Sequence, residues 1–401
     1  MHFISAPTFA NLYYKALDLV YATPDYETSP RGMKIKECMN VVMELEDPTS
    51  NLFKCETDKS LTMPTGYTKK EIALYLAAYK NVDLFGAASP FWKTIANEDG
   101  TVNSAYGNLI FGMQDSGSEM TQYSWAVRML QTDKDTRQAY MLFNRPMHQF
   151  LGNKDVPCTL SEIFHIRNNK LNATTTMRSN DLVSGFVHDI PSFTLFQWLV
   201  YRILKMYVYP DLELGTYTHI VYSLHLYEKD FDLTRRRLLA GFTPSSFPLP
   251  VHPGVVMNGD INKILDAKFN SIEITGKWDY PENEPFYNWL LSAPKKQITV
   301  PDNVSVEDFA KNLDFSNVEI PVIMPKHIQF DEYVLTPAKV TKSLTQNFKG
   351  TQIEIEGNCS CKEKNVDVDC TLVLTSSTCN DIPYISAALY FLGGAISKQI
   401  I

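Results

Sequence analysis

Three strand-like segments follow one another between about residues 138 and 178, and this run constrains the fold more than any other feature of the sequence. The segments read AYMLFN, LSEIFHIRN and KLNATTTMRS. The letters NNK between the last two are typical of a tight turn. We therefore expect these segments to form the centre of a sheet.

Helical and further strand-like segments lie on both sides of this run. Hydrophobic periodicity predicts helices near 8 to 22, 68 to 80, 119 to 131 and 190 to 208. The segment ECMNVVMEL alternates imperfectly and still resembles a strand, and YTHIVYSLHLY predicts another strand over 217 to 227. Strands that cluster in sequence and are covered by helices indicate an α+β fold.

The last hundred residues differ in character from the rest of the chain. The chain has 401 residues, which exceeds the usual size of one domain. The stretch SAPKKQITVPDN marks a boundary, so we predict a first domain over 1–292, a linker over 293–303 and a C-terminal extension over 304–401. Strand-like runs such as GTQIEIEGNCSC make this extension a mainly β domain, and its role cannot be deduced from the sequence.

The composition excludes several classes of function. A formal net charge of -8 argues against charge-driven binding to nucleic acid, so we expect a small-molecule partner. The N-terminus lacks the pattern of a signal peptide. The most apolar helix candidate is interrupted by Arg202 and Lys205, so we expect no membrane segment.

Seven cysteines form an odd, unevenly spaced set, which favours a reducing compartment. We therefore expect a cytoplasmic protein. Cys359, Cys361, Cys370 and Cys379 do not follow a standard zinc spacing. We interpret them as core thiols of strands and expect no metal site.

Polar residues crowd the segment RSNDLVSGFVHDI, residues 178 to 190, and Cys158 lies upstream in VPCTL. A nucleophilic cysteine needs access and a positive neighbour that favours the thiolate, and an arginine that also binds a phosphate supplies both. Asp189 stands just before an apolar helical stretch, so it is also a candidate N-cap of the 190 to 208 helix.

The combination of VPCTL, KLNATTTMRSNDLVSGFVHDI, SLHLY, NSAYG and RGMKIKE resembles the thymidylate synthase family over about residues 10 to 285. Within the family, MRSND, NSAYG, NRPMHQF and SLHLY are most similar to the phage deoxycytidylate hydroxymethylases. In this family a cysteine adds to C6 of a pyrimidine nucleotide, and C5 then attacks methylenetetrahydrofolate. The resemblance implies a large mixed sheet covered by helices, with one sheet face at the interface of a homodimer that shares its active sites.

The resemblance also implies roles for individual residues. The residues similar to catalytic positions are Cys158 as the nucleophile, Glu71 and Tyr106 in proton transfer, and Asp189 at the base. Those similar to nucleotide-binding positions are Arg31, Arg178 and Ser179 at the phosphate, Arg137 donated from the other subunit, Asn180 and Asp189 near the base, and His225 and Tyr227 at the sugar. Trp92 and Asp181 resemble the contacts of 5,10-methylenetetrahydrofolate, the expected co-substrate.

Two departures from the family pattern bear on function. Gln138 follows Arg137 where many members have a second arginine, and Ile95 stands where the synthases have a second tryptophan. Synthases that use dUMP have an asparagine at the position of Asp189, and a carboxyl group suits the reversed hydrogen-bonding edge of cytosine. The sequence thus predicts dCMP 5-hydroxymethyltransferase activity. Alternatives are a dCMP methylase, an enzyme that uses dUMP, and a non-catalytic nucleotide-binding relative.

Overall fold

The computed structural model describes residues 1–112, 118–292, 303–307, 327–331, 333–345, 350–361, 366–379, 382–391 and 394–399. The chain divides into two compact units, Met1–Ser292 and Ala293–Ile401. Residues 293–302 of the predicted linker lie outside the described residues, and Asn303 already begins a strand.

The helices are α1 (Phe9–Ala22), α2 (Thr65–Leu76), α3 (Val82–Ala88), α4 (Phe91–Ile95), α5 (Tyr106–Phe111), α6 (Gln122–Thr132), α7 (Phe186–Tyr207), α8 (Phe231–Ala240), α9 (Gly259–Phe269) and α10 (Glu284–Leu291). The strands of the first unit are β1 (His2–Ala6), β2 (Tyr26–Thr28), β3 (Ile35–Leu45), β4 (Leu52–Lys54), β5 (Tyr140–Leu142), β6 (Thr159–Arg167), β7 (Lys170–Met177), β8 (Asn180–Asp181), β9 (Glu213–Tyr227) and β10 (Thr243–Ser245). The strands of the second unit are β11 (Asn303–Ser305), β12 (His327–Phe330), β13 (Tyr333–Thr345), β14 (Gly350–Cys361), β15 (Val366–Cys379), β16 (Ile382–Phe391) and β17 (Gly394–Gln399).

An eight-stranded mixed sheet forms the centre of the first unit. Its main path is β1-β3-β9-β7-β6-β5, with β2 paired to β3 and β8 paired to β9. Strand β9 is central because it pairs antiparallel to β3 and parallel to both β7 and β8. Alternate residues of β6, β7 and β9 are buried, so one face of this sheet carries the core.

The three predicted strands are confirmed as neighbours, but they do not form the centre of the sheet, because β5 is its edge strand and β6 lies next to that edge. Strands β6 and β7 pair antiparallel, and Asn168 and Asn169 form the tight turn between them with φ of 50° and 61°. The imperfect alternation of ECMNVVMEL has a local cause in β3. Asn40 adopts φ 55°, and the spacing of buried residues changes between Cys38 and Val41.

The longest helix, α7, begins four residues before the predicted start at 190. Gly185 is its N-cap, and Pro191 lies inside the helix. Asp189 therefore occupies the first turn, and its interpretation as the N-cap is wrong. A carboxyl group in the first turn still interacts favourably with the helix dipole.

The second unit contains a seven-stranded sheet in the order β11 to β17, antiparallel except for the β11–β12 pair. Cys359 and Cys370 are buried on neighbouring strands. Cys379 follows Cys370 by nine positions on β15, which places it about 30 Å away at 3.3 Å per residue. The four cysteines of this unit therefore cannot bind one metal ion together within a single chain.

In the described part of the chain, every helix is too short or too polar to cross a membrane.

Candidate active site

Cys158 lies immediately before β6, on a loop that is anchored to the segment preceding α5. The backbone N–H of Ser104 donates to Oδ2 of Asp155 over 2.9 Å, and the Ser104 hydroxyl donates to Oδ1 of the same carboxylate. The hydroxyl oxygen of Tyr106 accepts a hydrogen bond from the backbone N–H of Thr159 over 3.3 Å. These contacts hold Tyr106 next to the cysteine.

Arg178 brings positive charge to Cys158. Its backbone N–H donates to the carbonyl of Cys158 over 2.9 Å, and its guanidinium donates to the carbonyls of Val156 and Pro157. Burial raises the pKa of the Cys158 thiol, and the charge of Arg178 lowers it. The arginine thus favours the thiolate in a pocket whose low polarity opposes it.

Arg31 and Arg137 are both exposed, and they differ in their relation to the other predicted site residues. Arg31 lies in a short turn with φ 55°, and its charge makes a small contribution that lowers the pKa of Cys158. Arg137 has no hydrogen bond or ion pair to another predicted site residue within the described part of the chain. The described contacts therefore do not place Arg137 in the site of its own subunit.

Asp189 and Glu71 form a pair of protonatable carboxyl groups. Burial, with a smaller contribution from the charge of Glu71, raises the pKa of Asp189 to about 8. Burial raises the pKa of Glu71 to about 7. The side-chain amide of Asn180 donates to Oδ2 of Asp189 over 2.7 Å. Near neutral pH the site therefore offers an acidic proton at Asp189 as well as carboxyl acceptors.

The structure reveals Tyr67 as an additional site residue. The Tyr67 hydroxyl donates to Oε1 of Glu71 over 2.7 Å, and the indole N–H of Trp92 donates to the Tyr67 oxygen over 2.9 Å. Trp92 is thus connected to the carboxyl group of Glu71 through Tyr67. The sequence signal was the spacing of four residues between Tyr67 and Glu71, which places both on one face of α2. Ile95 ends α4 half-buried against the core.

The short strand β8 carries Asp181 to the edge of the site. Each carboxylate oxygen of Asp181 accepts one backbone N–H, from Val183 or Ser184, which shapes the turn into α7. Asp181 pairs with His225 across β8 and β9. The rings of His225 and Tyr227 meet edge to face with centroids 5.1 Å apart. Sugar-binding candidates and a folate-binding candidate therefore lie side by side.

The structure brings most of the predicted site residues into one region of the first unit. Ser179 is half-buried between Arg178 and Asn180, which itself contacts Asp189. Tyr106 and Glu71 approach from α5 and α2. Arg137 is the exception.

A family model described as Thymidylate synthase matches residues 11–284. The chain belongs to the thymidylate synthase family. The deoxycytidylate 5-hydroxymethyltransferase of Enterobacteria phage T4 is 29% identical over 231 residues, covering 54% of this chain and 85% of that protein. The deoxyuridylate hydroxymethyltransferase of Bacillus phage SP01 is 28% identical over 246 residues, covering 57% and 58%. Thermostable thymidylate synthase A from Bacillus subtilis is 16% identical with a TM-score of 0.47, covering 61% of this chain and 87% of that one.

Membership of this family makes the protein a one-carbon transferase that acts on a pyrimidine nucleotide. The family typically uses methylenetetrahydrofolate, binds nucleotide and folate, and forms dimers. The two hydroxymethyltransferases have nearly equal identity to this chain and act on different bases. Identity alone therefore does not separate dCMP from dUMP as the substrate.

Proposed function

We propose that the protein transfers a one-carbon unit from 5,10-methylenetetrahydrofolate to C5 of dCMP and releases 5-hydroxymethyl-dCMP. The Cys158 sulfur adds to C6 of the cytosine ring, which makes C5 nucleophilic. Tyr106 and Glu71 remove and deliver protons around the base. C5 attacks the methylene carbon of the folate, and loss of the C5 proton with departure of tetrahydrofolate leaves an exocyclic methylene group. Water adds to this group, and the sulfur leaves C6 as the ring double bond reforms.

The proposal that dCMP is the substrate rests on the carboxyl group of Asp189. One of its oxygens can accept from the N4 amino group of cytosine, and the acidic proton on the other can donate to N3. The raised pKa of about 8 keeps that proton in place at neutral pH. Both hydrogen bonds to the base edge are then satisfied, which a buried polar site requires.

The remaining contacts are common to all pyrimidine deoxynucleotides. Arg178, Ser179 and Arg31 bind the phosphate, and Arg137 of the other subunit completes this grip. His225 and Tyr227 donate to or accept from the sugar 3'-hydroxyl. These residues fix the position of the base but do not distinguish cytosine from uracil.

Asp181 and Trp92 are suited to bind the folate. Each Asp181 oxygen uses one lone pair on a backbone N–H and retains capacity for a donor of the pterin ring. The folate supplies the one-carbon unit. Ile95 in place of a second tryptophan leaves a smaller apolar surface near this position, which favours access of water.

The decisive experiment incubates the protein with dCMP and methylenetetrahydrofolate and identifies both products by mass spectrometry. We expect a hydroxymethyl adduct together with tetrahydrofolate. A methyl adduct with dihydrofolate would show hydride transfer and replace the proposal by a dCMP methylase. Absence of any adduct with dCMP or dUMP would favour a non-catalytic nucleotide-binding protein.

A second candidate substrate is dUMP, and the similarity to the phage SP01 protein favours it. Substitution Asp189→Asn tests the choice, because an amide suits uracil and loses its match to cytosine. An unsatisfied buried group costs about 1 to 3 kcal/mol, so the ratio of kcat/KM for dCMP over dUMP is expected to fall roughly ten-fold or more. An unchanged ratio would show that Asp189 does not read the base.

A further inference from the structure

A chain of buried polar side chains continues from Asp189 into the core. Asn180 donates from Nδ2 to Oδ2 of Asp189 over 2.7 Å. The Oδ1 atom of Asn180 lies 3.0 Å from Nε2 of His219. The Nδ1 atom of His219 lies 2.9 Å from the hydroxyl of Tyr217. Three successive hydrogen bonds thus connect Tyr217, in the interior of β9, to the carboxyl group of Asp189, which is the candidate for recognition of the base.

His219 and Tyr217 occupy alternate positions of β9 and face the core, where both are fully buried. The β6–β7 and β7–β9 registers place Glu162, Thr175 and His219 in one row across three strands. Glu162 is fully buried at the far end, and within the described residues its oxygens have no hydrogen-bond partner. Burial raises the pKa of Tyr217 well above its ordinary value, and Glu162 adds a smaller contribution in the same direction. Tyr217 therefore keeps its proton and can donate it.

The hydrogen bonds of this chain have a defined direction. Burial lowers the pKa of His219 to about 3, so the ring is neutral and carries one N–H. With the Asn180 amide facing Asp189, its Oδ1 accepts from Nε2–H of His219, and Nδ1 accepts from the Tyr217 hydroxyl. This direction is electrostatically favourable. The negative charges of Glu71 and Asp181 act on Asp189 and raise its pKa. Next to these acids an amide NH2 group is more favourable than an amide oxygen.

We propose that Tyr217 and His219 are positioning residues that fix the orientation of the Asn180 amide and so decide which oxygen of Asp189 carries the acidic proton. Oδ2 accepts from Asn180, so the proton resides on Oδ1. This inference rests on the proposed reading of the base by Asp189.

The location of that proton determines which base fits. A neutral carboxyl group offers one donor and one acceptor, and exchanging them converts a match for cytosine into a match for uracil. Without the N–H of His219, Asn180 can rotate its amide and present oxygen to Asp189. The proton then moves to Oδ2, and the pattern facing the base reverses. His219 is therefore expected to maintain discrimination between dCMP and dUMP from within the core.

The test compares His219→Phe with His219→Gln and Tyr217→Phe. Phenylalanine removes both ring nitrogens, whereas a glutamine side chain can still donate to Asn180. Specificity is read as the ratio of kcat/KM for the two nucleotides. We expect His219→Phe to reduce the discrimination ratio at least five-fold, Tyr217→Phe to reduce it less, and His219→Gln to retain most of it.

A second measurement uses the free protein and needs no substrate. Nitrogen-15 spectra report the tautomer of His219, and carbon-13 spectra of the carboxyl groups report the pKa of Asp189. We expect the Nε2–H tautomer in the wild type. The pKa of Asp189 is expected to rise in His219→Phe, because the Asn180 hydrogen bond that lowers it is lost. Groups that must be monitored in the same titration are Glu71, Asp181, Cys158, Tyr67, Tyr75, Tyr106 and Tyr217, which all interact with the charge of Asp189.

These outcomes separate the two proposals. If the wild type prefers dUMP and His219→Phe removes that preference, the positioning role stands and the substrate assignment fails. An Nδ1–H tautomer of His219, or equal ratios in wild type and folded His219→Phe, overturns the positioning role whichever nucleotide is preferred. If His219→Phe does not fold, the positioning role is tested with the other two variants. The pKa of Asp189 is then measured in Tyr217→Phe and His219→Gln, and the tautomer of His219 in Tyr217→Phe.

Discussion

Cys158 combines burial with a neighbouring arginine, and this combination suits a nucleophile that becomes a thiolate only in a complete site. Substitution Cys158→Ala is expected to lower turnover at least about 10³-fold, because the bond to C6 can no longer form. Nucleotide affinity, measured by calorimetry with dCMP, is expected to stay close to that of the wild type, since the phosphate and sugar contacts remain. Cys55→Ala provides the control, because Cys55 is buried away from the site near Thr57. Wild-type turnover in Cys158→Ala would contradict covalent catalysis.

Asp189 should also leave a signature in the pH dependence of stability. Its folded-state pKa of about 8 lies above the ordinary carboxyl value of 3.8, so the folded state binds the proton more tightly than the unfolded state. The free energy of unfolding therefore loses a contribution as pH rises from about 4 to about 8. Asp189→Asn removes this loss. Urea denaturation is expected to show the mutant gaining stability relative to the wild type between pH 5.5 and 8, by at least about 1 kcal/mol.

Glu71→Gln serves as the comparison in the same experiment. The folded-state pKa of Glu71 is raised to about 7. The loss of stability that Glu71 causes as pH rises therefore ends at a lower pH than the loss caused by Asp189. A difference between Asp189→Asn and wild type that stays constant with pH would contradict a protonated Asp189 in the folded protein.

Helix α5 carries Tyr106, and its position depends on one close backbone contact with helix α2. A Cβ atom added at Gly107 would lie 2.0 Å from the carbonyl oxygen of Tyr75, at the end of α2. Since α2 also carries Glu71, Gly107 lets the two helices that bear Glu71 and Tyr106, the proposed proton-transfer residues, approach each other. Gly107→Ala is expected to destabilise the protein by about 1 to 3 kcal/mol and to lower kcat, because Tyr106 must shift.

The matched control is Gly86→Ala in α3. There an added Cβ meets only the flexible side chain of Lys93. Thermal unfolding and turnover of both variants check the prediction, and equal behaviour of the two would show that the α2–α5 contact is not tight.

How far the sequence predicts these elements depends on the kind of signal. The β6–β7 hairpin was predictable because two asparagines in the left-handed region define a two-residue turn. The start of α7 was not, because Gly185 and Phe186 carry no strong capping signal and Pro191 normally marks an early helical position. Most of the candidate site residues come from the family motifs. His219 and Tyr217 were missed, because polar residues at alternate strand positions look solvent-facing until the burial of that face is known.

At the scale of the whole molecule, the sheet of the first unit has a second face. Residues such as Ile163, Thr174, Thr176, Thr218 and Ile220 are half-buried there, on the side of β6, β7 and β9 opposite the core. We propose this face as the dimer interface, because a partly apolar sheet face suits association with an identical copy.

A dimer built on this face explains why Arg137 is exposed and lacks contacts with its own site. If each subunit donates Arg137 to its partner's phosphate pocket, a heterodimer of Cys158→Ala and Arg137→Ala subunits contains one site with both native residues and one site with neither. Random exchange makes half of the dimers heterodimers, so mixing two weakly active proteins is expected to restore about a quarter of the wild-type activity. If Arg137 instead served its own subunit, every site in the mixture would lack one of the two residues. Activity that stays at the average of the two parents after subunit exchange, verified by native mass spectrometry of the full-length chains, would therefore place Arg137 outside a shared site.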